Sequence, residues 1–284
     1  MSQLDNSMNI LYADCMLEEI RKDRPTQVAV FLFFFFSLWW ILIHIFLPRD
    51  HGLYGLFGHT YGLIAVWGGI WGFIISRAWG GFKSVMGRGL IMFSLGLFAQ
   101  EFGQLAYSFY IFVLGIEIPY PSLGDIGFFG TIPFYIYGSY LIAKASGVKV
   151  SLRSLANKLQ AIIVPLIMLS VAYFLFLRNY PLDFENPLKT FFDFGYPMGQ
   201  AIYISIGILT YSLTRNILGG IMKNRIMLLI IAFASQFLAD YSFIFFYEQY
   251  YPASILDYMY VVAYFLMTLS ILQMRTVLSK LRGK

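Results

Sequence analysis

Two stretches of the chain place carboxyl and carboxamide side chains inside otherwise apolar runs. The first, "GLIMFSLGLFAQEFGQLAYSFYIFVLG", contains Gln100, Glu101 and Gln104, and the second, "IMLLIIAFASQFLADYSFIFFYEQ", contains Gln236 and Asp240. In each stretch two of these residues are four apart, so they share one helix face. An acidic side chain at a bilayer centre costs about 2.5–3.5 kcal/mol on insertion scales, and such residues usually face a partner, a pathway or a cavity.

These intramembrane polar residues have two interpretations. In the functional one, they line a central polar cavity between two halves of the molecule, which holds a small ligand, a cation or a proton. In the structural one, they form an interhelical hydrogen-bond network in which the carboxyl groups can be protonated. The residue types and spacing favour the two interpretations equally.

The composition predicts the class of protein that positions these residues. The chain has 284 residues, of which 59% are hydrophobic and only 12% charged. A soluble domain of this length could not bury so much apolar surface, so we predict an all-α polytopic membrane bundle. The eight apolar runs are approximately 27–47, 53–76, 89–114, 122–143, 159–177, 188–213, 226–247 and 255–274.

The basic residues predict the orientation of this bundle. All of the 20 lysines and arginines except Arg49, Arg178 and Lys189 fall on the side that carries both termini. By the positive-inside rule both termini are cytoplasmic, and the protein is a multi-pass protein of the cell membrane. The net charge of +5 is therefore an orientation signal, and nucleic acid is not an expected partner.

Four short motifs occur in the same order in the two halves of the chain. The pairs are "LFGHTYG" and "DFGYPMG", "SRAWGG" and "TRNILGG", "AYSF" and "DYSF", and "PSLGD" and "PASILD". They predict a duplicated four-helix unit whose two copies run parallel, in a 4+4 arrangement. The expected divisions are a cytoplasmic segment over 1–26, a first repeat over 27–147, and a second repeat with a basic tail over 148–284.

The last of these motif pairs is typical of helix starts. Ser122 with Asp125, and Ser254 with Asp257, follow the S-x-x-D pattern of a capping box. Each serine oxygen would accept a free backbone N–H, and each carboxylate would face the positive helix end. A ligand or ion role at an outer mouth is the alternative, since a capped carboxylate can still face a cavity.

The remaining candidates give no sign of a metal or a cofactor. His59 corresponds to Tyr196 in the second copy, which indicates a polar aromatic position that could line the same ligand site. The histidine spacing fits no metal-ligand pattern, and the single cysteine, Cys15, excludes a multi-cysteine site. No Walker loop, G-x-S-x-G or H-E-x-x-H motif occurs, so enzymatic chemistry is not indicated.

Two stretches, "PYPSLGD" and "FLADYSFIFFYEQYYPASILDYMY", carry a recognisable pattern. The residues that carry it are Pro119, Pro121, Ser122, Asp125, Ala239, Asp240, Asp257 and Tyr260. This pattern resembles the multi-span input region found ahead of some bacterial diguanylate cyclase (GGDEF) proteins and related sensor kinases. The resemblance covers about the last two-thirds of the chain and implies a membrane sensor or partner-binding role. Only ten residues follow Met274 in this sequence, so we expect no cyclase or kinase domain here and expect any signal to pass through another polypeptide.

The expected function is that of an integral membrane sensor or interaction subunit. It would bind a small ligand near Glu101 and Asp240 and act through a partner protein, with membrane lipids as its surroundings. A transporter or channel is an alternative that the parallel repeat and the paired acids suggest. A structural subunit of a larger membrane complex is another, in which the polar residues only hold helices together.

Overall fold

The computed structural model describes residues 23–178, 180, 184–214, 222–246 and 249–281. Within these ranges the chain is all-helical and has no strands. The helices are α1 (Arg24–Phe46), α2 (Gly52–Thr60), α3 (Leu63–Ala78), α4 (Val85–Ser108), α5 (Leu123–Ala145), α6 (Val148–Ser151), α7 (Leu155–Ala172), α8 (Pro187–Thr214), α9 (Lys223–Phe246) and α10 (Ile255–Leu281). Cys15, most of the 1–26 segment and most of the "TRNILGG" motif lie outside the described residues.

Six helical segments of the described chain are long and apolar enough to cross a membrane. They are Arg24–Phe46, Gly52–Ala78, Leu123–Ala145, Leu155–Leu175, Lys223–Phe243 and Ile255–Ser279. The helices α4 and α8 have 24 and 28 residues and coincide with the other two predicted runs. Glu101 interrupts the apolar run of α4, and Asp193 interrupts that of α8. The structure thus has the helices of a multi-pass membrane protein.

Local chemistry explains where several of these helices begin. The Asp23 carboxylate accepts the Thr26 N–H at 3.2 Å, and Pro25 occupies the first turn of α1, where a missing N–H costs nothing. At α4, the Ser84 hydroxyl accepts the Gly87 N–H at 3.1 Å. Such side-chain caps satisfy backbone donors that helix starts leave without partners.

Helix packing places α10 inside the bundle and α7 at its edge. The helix α10 packs against α1, α3 and α9, whereas α7 packs mainly against α8. The helices α4 and α5 approach closely, since a Cβ on Gly127 would lie 2.5 Å from the Gly103 nitrogen. Small residues commonly mediate such close helix contacts in membranes. Contacts of α3 with α10 and of α5 with α8 join the N-terminal helices to the C-terminal ones.

Candidate functional site

The Asp240 carboxylate lies where α8, α9 and α10 meet. Gln236, one turn earlier on α9, donates through Nε2 to both carboxylate oxygens at 3.0 and 3.1 Å. Gln200 of α8 donates through Nε2 to Oδ2, and the Tyr260 hydroxyl of α10 donates to Oδ1 at 2.7 Å. Three neutral donors therefore surround Asp240, which is the environment that an ionised carboxylate needs.

Glu101 is in a different situation, although it is also buried. Its side chain is 9% exposed and that of Gln100 is 2% exposed. Across the described residues, neither Glu101 Oε2 nor Gln100 Oε1 has a hydrogen-bond partner, and both atoms are buried. Burying a polar group without a partner costs about 1–3 kcal/mol, more for a charged group. Glu101 and Gln100 therefore each have a buried acceptor oxygen to which no donor in the described structure bonds.

A glycine between α2 and α3 makes room for the Glu101 carboxyl group. A Cβ built on Gly62 would lie 1.8 Å from Glu101 Oε2 and 2.9 Å from the carboxyl carbon. The Gly62 backbone is in the ordinary right-handed region, with φ −61° and ψ −14°. The space occupied by the carboxyl group, and not the backbone conformation, favours glycine at this position. The carboxyl group packs directly on the Gly62 backbone.

Gly62 also lies in a distortion between α2 and α3. The Ile64 N–H bonds to the Tyr61 carbonyl at 3.2 Å, a shorter-range bond than an α-helix makes. In a regular helix the Gly58 carbonyl would accept from Gly62, but here it accepts from Gln104 Nε2. The Gln104 carboxamide of α4 thus stabilises the distorted turn beside Glu101. Helix irregularities at membrane depth are tolerated where other protein groups satisfy the backbone.

A row of tyrosines joins the two polar groups. The Tyr61 hydroxyl donates to Gln104 Oε1 at 3.1 Å, and its ring centroid is 5.8 Å from that of Tyr264. The Tyr264 centroid is in turn 6.1 Å from that of Tyr260, which donates to Asp240. Side-chain contacts therefore run without interruption from Gln104 on α4 to Asp240 on α9.

Further buried tyrosines lie in this interior. Tyr264, at the centre of the row, is 1% exposed. Tyr135 of α5 and Tyr203 of α8 are buried, with ring centroids 5.8 Å apart. Aromatic side chains pack densely where the sequence predicts a central polar cavity, so the structure shows the predicted residues in a packed interior.

The first S-x-x-D motif forms a capping box at the start of α5, as predicted. The Ser122 N–H donates to Asp125 Oδ2 at 2.7 Å, and the Ser122 hydroxyl accepts the Gly124 N–H at 3.1 Å. The Tyr196 hydroxyl of α8 also donates to Asp125 Oδ1 at 3.2 Å. Asp125 therefore both caps α5 and connects it to α8, and Tyr196 contacts this cap.

The prediction of a capping box at the second motif is wrong. Ser254 precedes α10 but its buried hydroxyl has no hydrogen-bond partner among the described residues. Asp257 accepts the Ala253 N–H at 2.7 Å in place of the Ser254 N–H. The physical reason is the left-handed backbone of Ala253, with φ 60°, which changes the path of the chain into the helix. A Cβ on Gly58 would lie 3.5 Å from Asp257 Oδ2, so α2 packs against this carboxylate.

His59 contacts side chains other than the acids, and its Nε2 is buried without a hydrogen-bond partner among the described residues. Its Nδ1 is 2.5 Å from the Ser108 hydroxyl, and its ring packs edge-on against Phe112 with centroids 4.0 Å apart. Among the residues with described positions, no three His, Cys, Asp or Glu side chains group as a metal site requires. His59 and Tyr196 thus occupy the margins of the polar interior, where each contacts a different neighbour.

A cavity of about 440 Å³ lies on the outer surface of α7, over residues 163–175. Its lining is almost entirely apolar, with residues such as Ile163, Leu166 and Phe174, which suits contact with lipid chains.

Several residues of the polar interior are not identified by the sequence patterns. They include Gln200, Tyr61 and Tyr264, although each contacts a predicted residue or packs within the row of tyrosines. Gln200 comes directly after Gly199, the last residue of a repeated motif, and lies inside an apolar run. An amide in such a run is a signal that could have identified it. The tyrosines carry no such signal, because the chain contains 21 of them.

Comparisons with protein-family models, with curated proteins and with solved structures find no match to this chain.

Proposed function

We propose that the chain is a sensor subunit of the cell membrane that binds a small polar ligand in its interior and passes the bound state to a partner protein. The observation that carries this proposal is the pair of buried acceptors without partners in the described structure, Glu101 Oε2 and Gln100 Oε1. The row of tyrosines connects their helix to Asp240, so a ligand at Glu101 would alter packing in both halves of the chain. The resemblance to sensor input regions supports the same role.

The membrane arrangement that we propose has eight spans, a parallel 4+4 repeat and cytoplasmic termini. Eight long helical segments support the number of spans, with α4 and α8 added to the six apolar ones. In this repeat α3 is equivalent to α8, and α5 is equivalent to α10. The contact of α3 with α10 therefore corresponds to the contact of α8 with α5, as a parallel repeat requires. Labelling of single cysteines placed at each end of each helix, by a reagent that does not cross membranes, tests this arrangement.

Purification of the tagged chain from its native membranes in mild detergent tests the sensor role. We expect a specific protein partner and a small bound molecule or ion, both detected by mass spectrometry. Glu101→Gln should lose the ligand and keep a monodisperse elution profile. Asp50→Asn, which changes an exposed loop acid, is the matched control and should retain both. A wild-type chain that retains neither a partner nor a ligand would contradict the proposal.

Transport is the second candidate function, and one structural observation favours it. The helix distortion at Tyr61 and Gly62 has a counterpart in α8, where Pro197 lies within the second copy of the same motif and removes a backbone donor. Paired helix irregularities in two repeats are typical of transporter sites. Flux in reconstituted vesicles that Glu101→Gln abolishes would support transport, and the absence of flux for a panel of small ions would exclude ion transport.

A further inference from the structure

We propose that Glu101 is a proton-binding site: in the ligand-free protein its carboxyl group is protonated, and it exchanges this proton at the surface of α4. The inference goes beyond the sensor function, because it requires neither a small ligand nor a partner protein. It follows from the hydrogen bonds, the surroundings and the exposure of this one side chain.

Hydrogen bonding separates Glu101 from the other buried acids. Among the described residues, no N–H or O–H group donates to its carboxyl oxygens, and Oε2 is buried. By contrast, Asp240 accepts from three side-chain donors, and Asp257 accepts the Ala253 N–H. Burying an ionised carboxylate without a partner is far less favourable than burying a neutral carboxyl group, so such an acid takes up a proton. Glu101 is therefore the acid for which the protonated form is favoured.

The neighbouring amide has the same shortage of donors. Gln100 Oε1 is a second buried acceptor without a partner in the described structure. A proton on Glu101 turns one of the carboxyl oxygens from an acceptor into a hydroxyl donor. Protonation therefore reduces the number of buried acceptors that lack a donor.

The bases of the described chain do not stabilise an ionised Glu101. The nearest base on α4 is Arg88, thirteen residues earlier, which is about 20 Å along the helix axis. His59 is closer, but the Ser108 hydroxyl donates to the Gln104 carbonyl at 2.9 Å, so His59 Nδ1 is the donor to Ser108. A further proton on the buried His59 Nε2 would create another charge without a partner. His59 is therefore neutral.

The other titratable groups of the helices around this part of α4 are carboxyl groups and phenols. They are Tyr61 beside Gly62, Tyr264 and Asp257 on α10, and Tyr135 and Asp125 on α5. Arg77 and Lys144 lie in the last turns of α3 and α5, and Arg275 pairs with Asp23. Since the ionised forms of carboxyl groups and phenols are negative, they disfavour a second negative charge nearby.

The second carboxyl oxygen gives the proton access to the surface. Oε1 also lacks a partner, but it is not among the buried atoms, so the 9% exposure of Glu101 leaves it accessible. Leu105, one turn further on the same face of α4, is 55% exposed, and the adjacent Phe102 is 46% exposed. The carboxyl group thus lies at the border between the bundle interior and the apolar outer surface of α4.

Labelling with carbodiimides tests the proposal. Dicyclohexylcarbodiimide dissolves in apolar phases and reacts with protonated carboxyl groups. The acid proton moves to a carbodiimide nitrogen, a carboxyl oxygen adds to the central carbon, and an acyl shift to nitrogen leaves a stable N-acylurea. The full chain in detergent, freed of small molecules by gel filtration, is labelled over a series of pH values. Mass spectrometry of its peptides locates the label.

We expect the label on Glu101 at neutral pH and none on Asp240. The labelling rate should fall about tenfold for each pH unit above the titration midpoint, since the protonated fraction falls by that factor. Glu101→Gln should lose the labelled peptide and keep its elution profile. A water-soluble carbodiimide is the control reagent, and it should label the exposed loop acid Asp50 and leave Glu101 unlabelled.

A wild-type Glu101 that stays unlabelled at every pH at which the chain is folded would overturn the proposal. Labelling of Asp240 as fast as that of Glu101 would also overturn it, because protonation would then not depend on missing donors. A rate that is constant over the pH series would overturn the exchange of the proton. An unlabelled Glu101 leaves the sensor function standing, and a chain that retains neither a ligand nor a partner leaves the proton site standing.

Discussion

Asp240 and Glu101 are buried acids in the same helical bundle, but their hydrogen bonding differs. Asp240 accepts hydrogen bonds from Gln200, Gln236 and Tyr260, which come from three helices. Glu101 packs against Gly62 and leaves one carboxylate oxygen without a partner in the described structure. Burial raises the free energy of both side chains, and only for Asp240 do hydrogen bonds from protein donors offset part of that increase.

This difference separates a structural acid from a functional one. A complete set of donors makes Asp240 a connection between α8, α9 and α10, so its loss should affect stability first. Because one Glu101 oxygen has no donor in the described structure, burying Glu101 lowers the stability of the fold. A binding role explains why such a residue is present. Variants can distinguish the two roles because stability and binding should change separately.

The largest expected effect is that of Asp240→Leu. The substitution leaves three buried donors without an acceptor, which should cost roughly 2–4 kcal/mol at the values measured for interhelical and buried hydrogen bonds. Glu101→Leu, the matched variant, should leave stability unchanged or raise it. Thermal unfolding in detergent measures the stability of both variants. Equal losses of stability would contradict the proposed difference between the two acids.

Gly62→Ala should have the next largest effect. Its Cβ would overlap Glu101 Oε2, so the carboxyl group must move, at a cost near the lower end of the roughly 1–3 kcal/mol range for overpacking, because the overlapping atoms end a flexible side chain. Gly58→Ala is the control, because its Cβ would make an ordinary 3.5 Å contact with Asp257 and alanine favours helices. Unfolding curves of the two variants check this. A Gly62→Ala protein as stable as the control would show that Glu101 does not pack there.

The two helix starts provide a smaller comparison. Ser122→Ala should lose about 1 kcal/mol, since Ser122 caps α5. Ser254→Ala should be close to neutral, because the Ser254 hydroxyl makes no hydrogen bond to a described residue. The measurement is again the unfolding midpoint, and similar losses would mean that both serines act as caps.

Tyr260→Phe should have the smallest effect on stability. It removes one of the hydrogen bonds to Asp240 and keeps the ring, so a loss of about 0.6 kcal/mol is expected. Combined with Gln236→Leu, the loss should differ from the sum of the two single losses, since both residues share one acceptor. Strict additivity in this double-mutant cycle would argue against a shared network.

Much of the fold could be predicted from the sequence. Apolar runs located most ends of the long helices to within a few residues, because hydropathy and helix length are linked in membranes, although α10 continues to Leu281, seven residues beyond the predicted end. The capping box at Ser122 was also predictable, since it depends on residues three apart. At Ser254 the same pattern misled, because the left-handed backbone of Ala253 is not encoded in the motif.

The candidate site was predictable only in part. Mid-membrane acids and amides identify Glu101, Gln104, Gln236 and Asp240 as polar positions, but pattern alone cannot say which of them find partners. That outcome depends on contacts between helices distant in the chain, such as those of Gln104 with Gly58 and of Gln200 with Asp240. The place of Tyr264 likewise follows only from its ring contacts with Tyr61 and Tyr260, which lie on different helices or turns from one another.

A density map of the full chain purified from its native membranes into lipid nanodiscs tests the central claim most directly. We predict that Asp240 keeps its bonds to Gln200, Gln236 and Tyr260, and that density for a ligand lies beside Glu101 Oε2. A Glu101 side chain that points toward lipid, or one whose two carboxylate oxygens both bond to protein donors, would contradict the functional role of this acid.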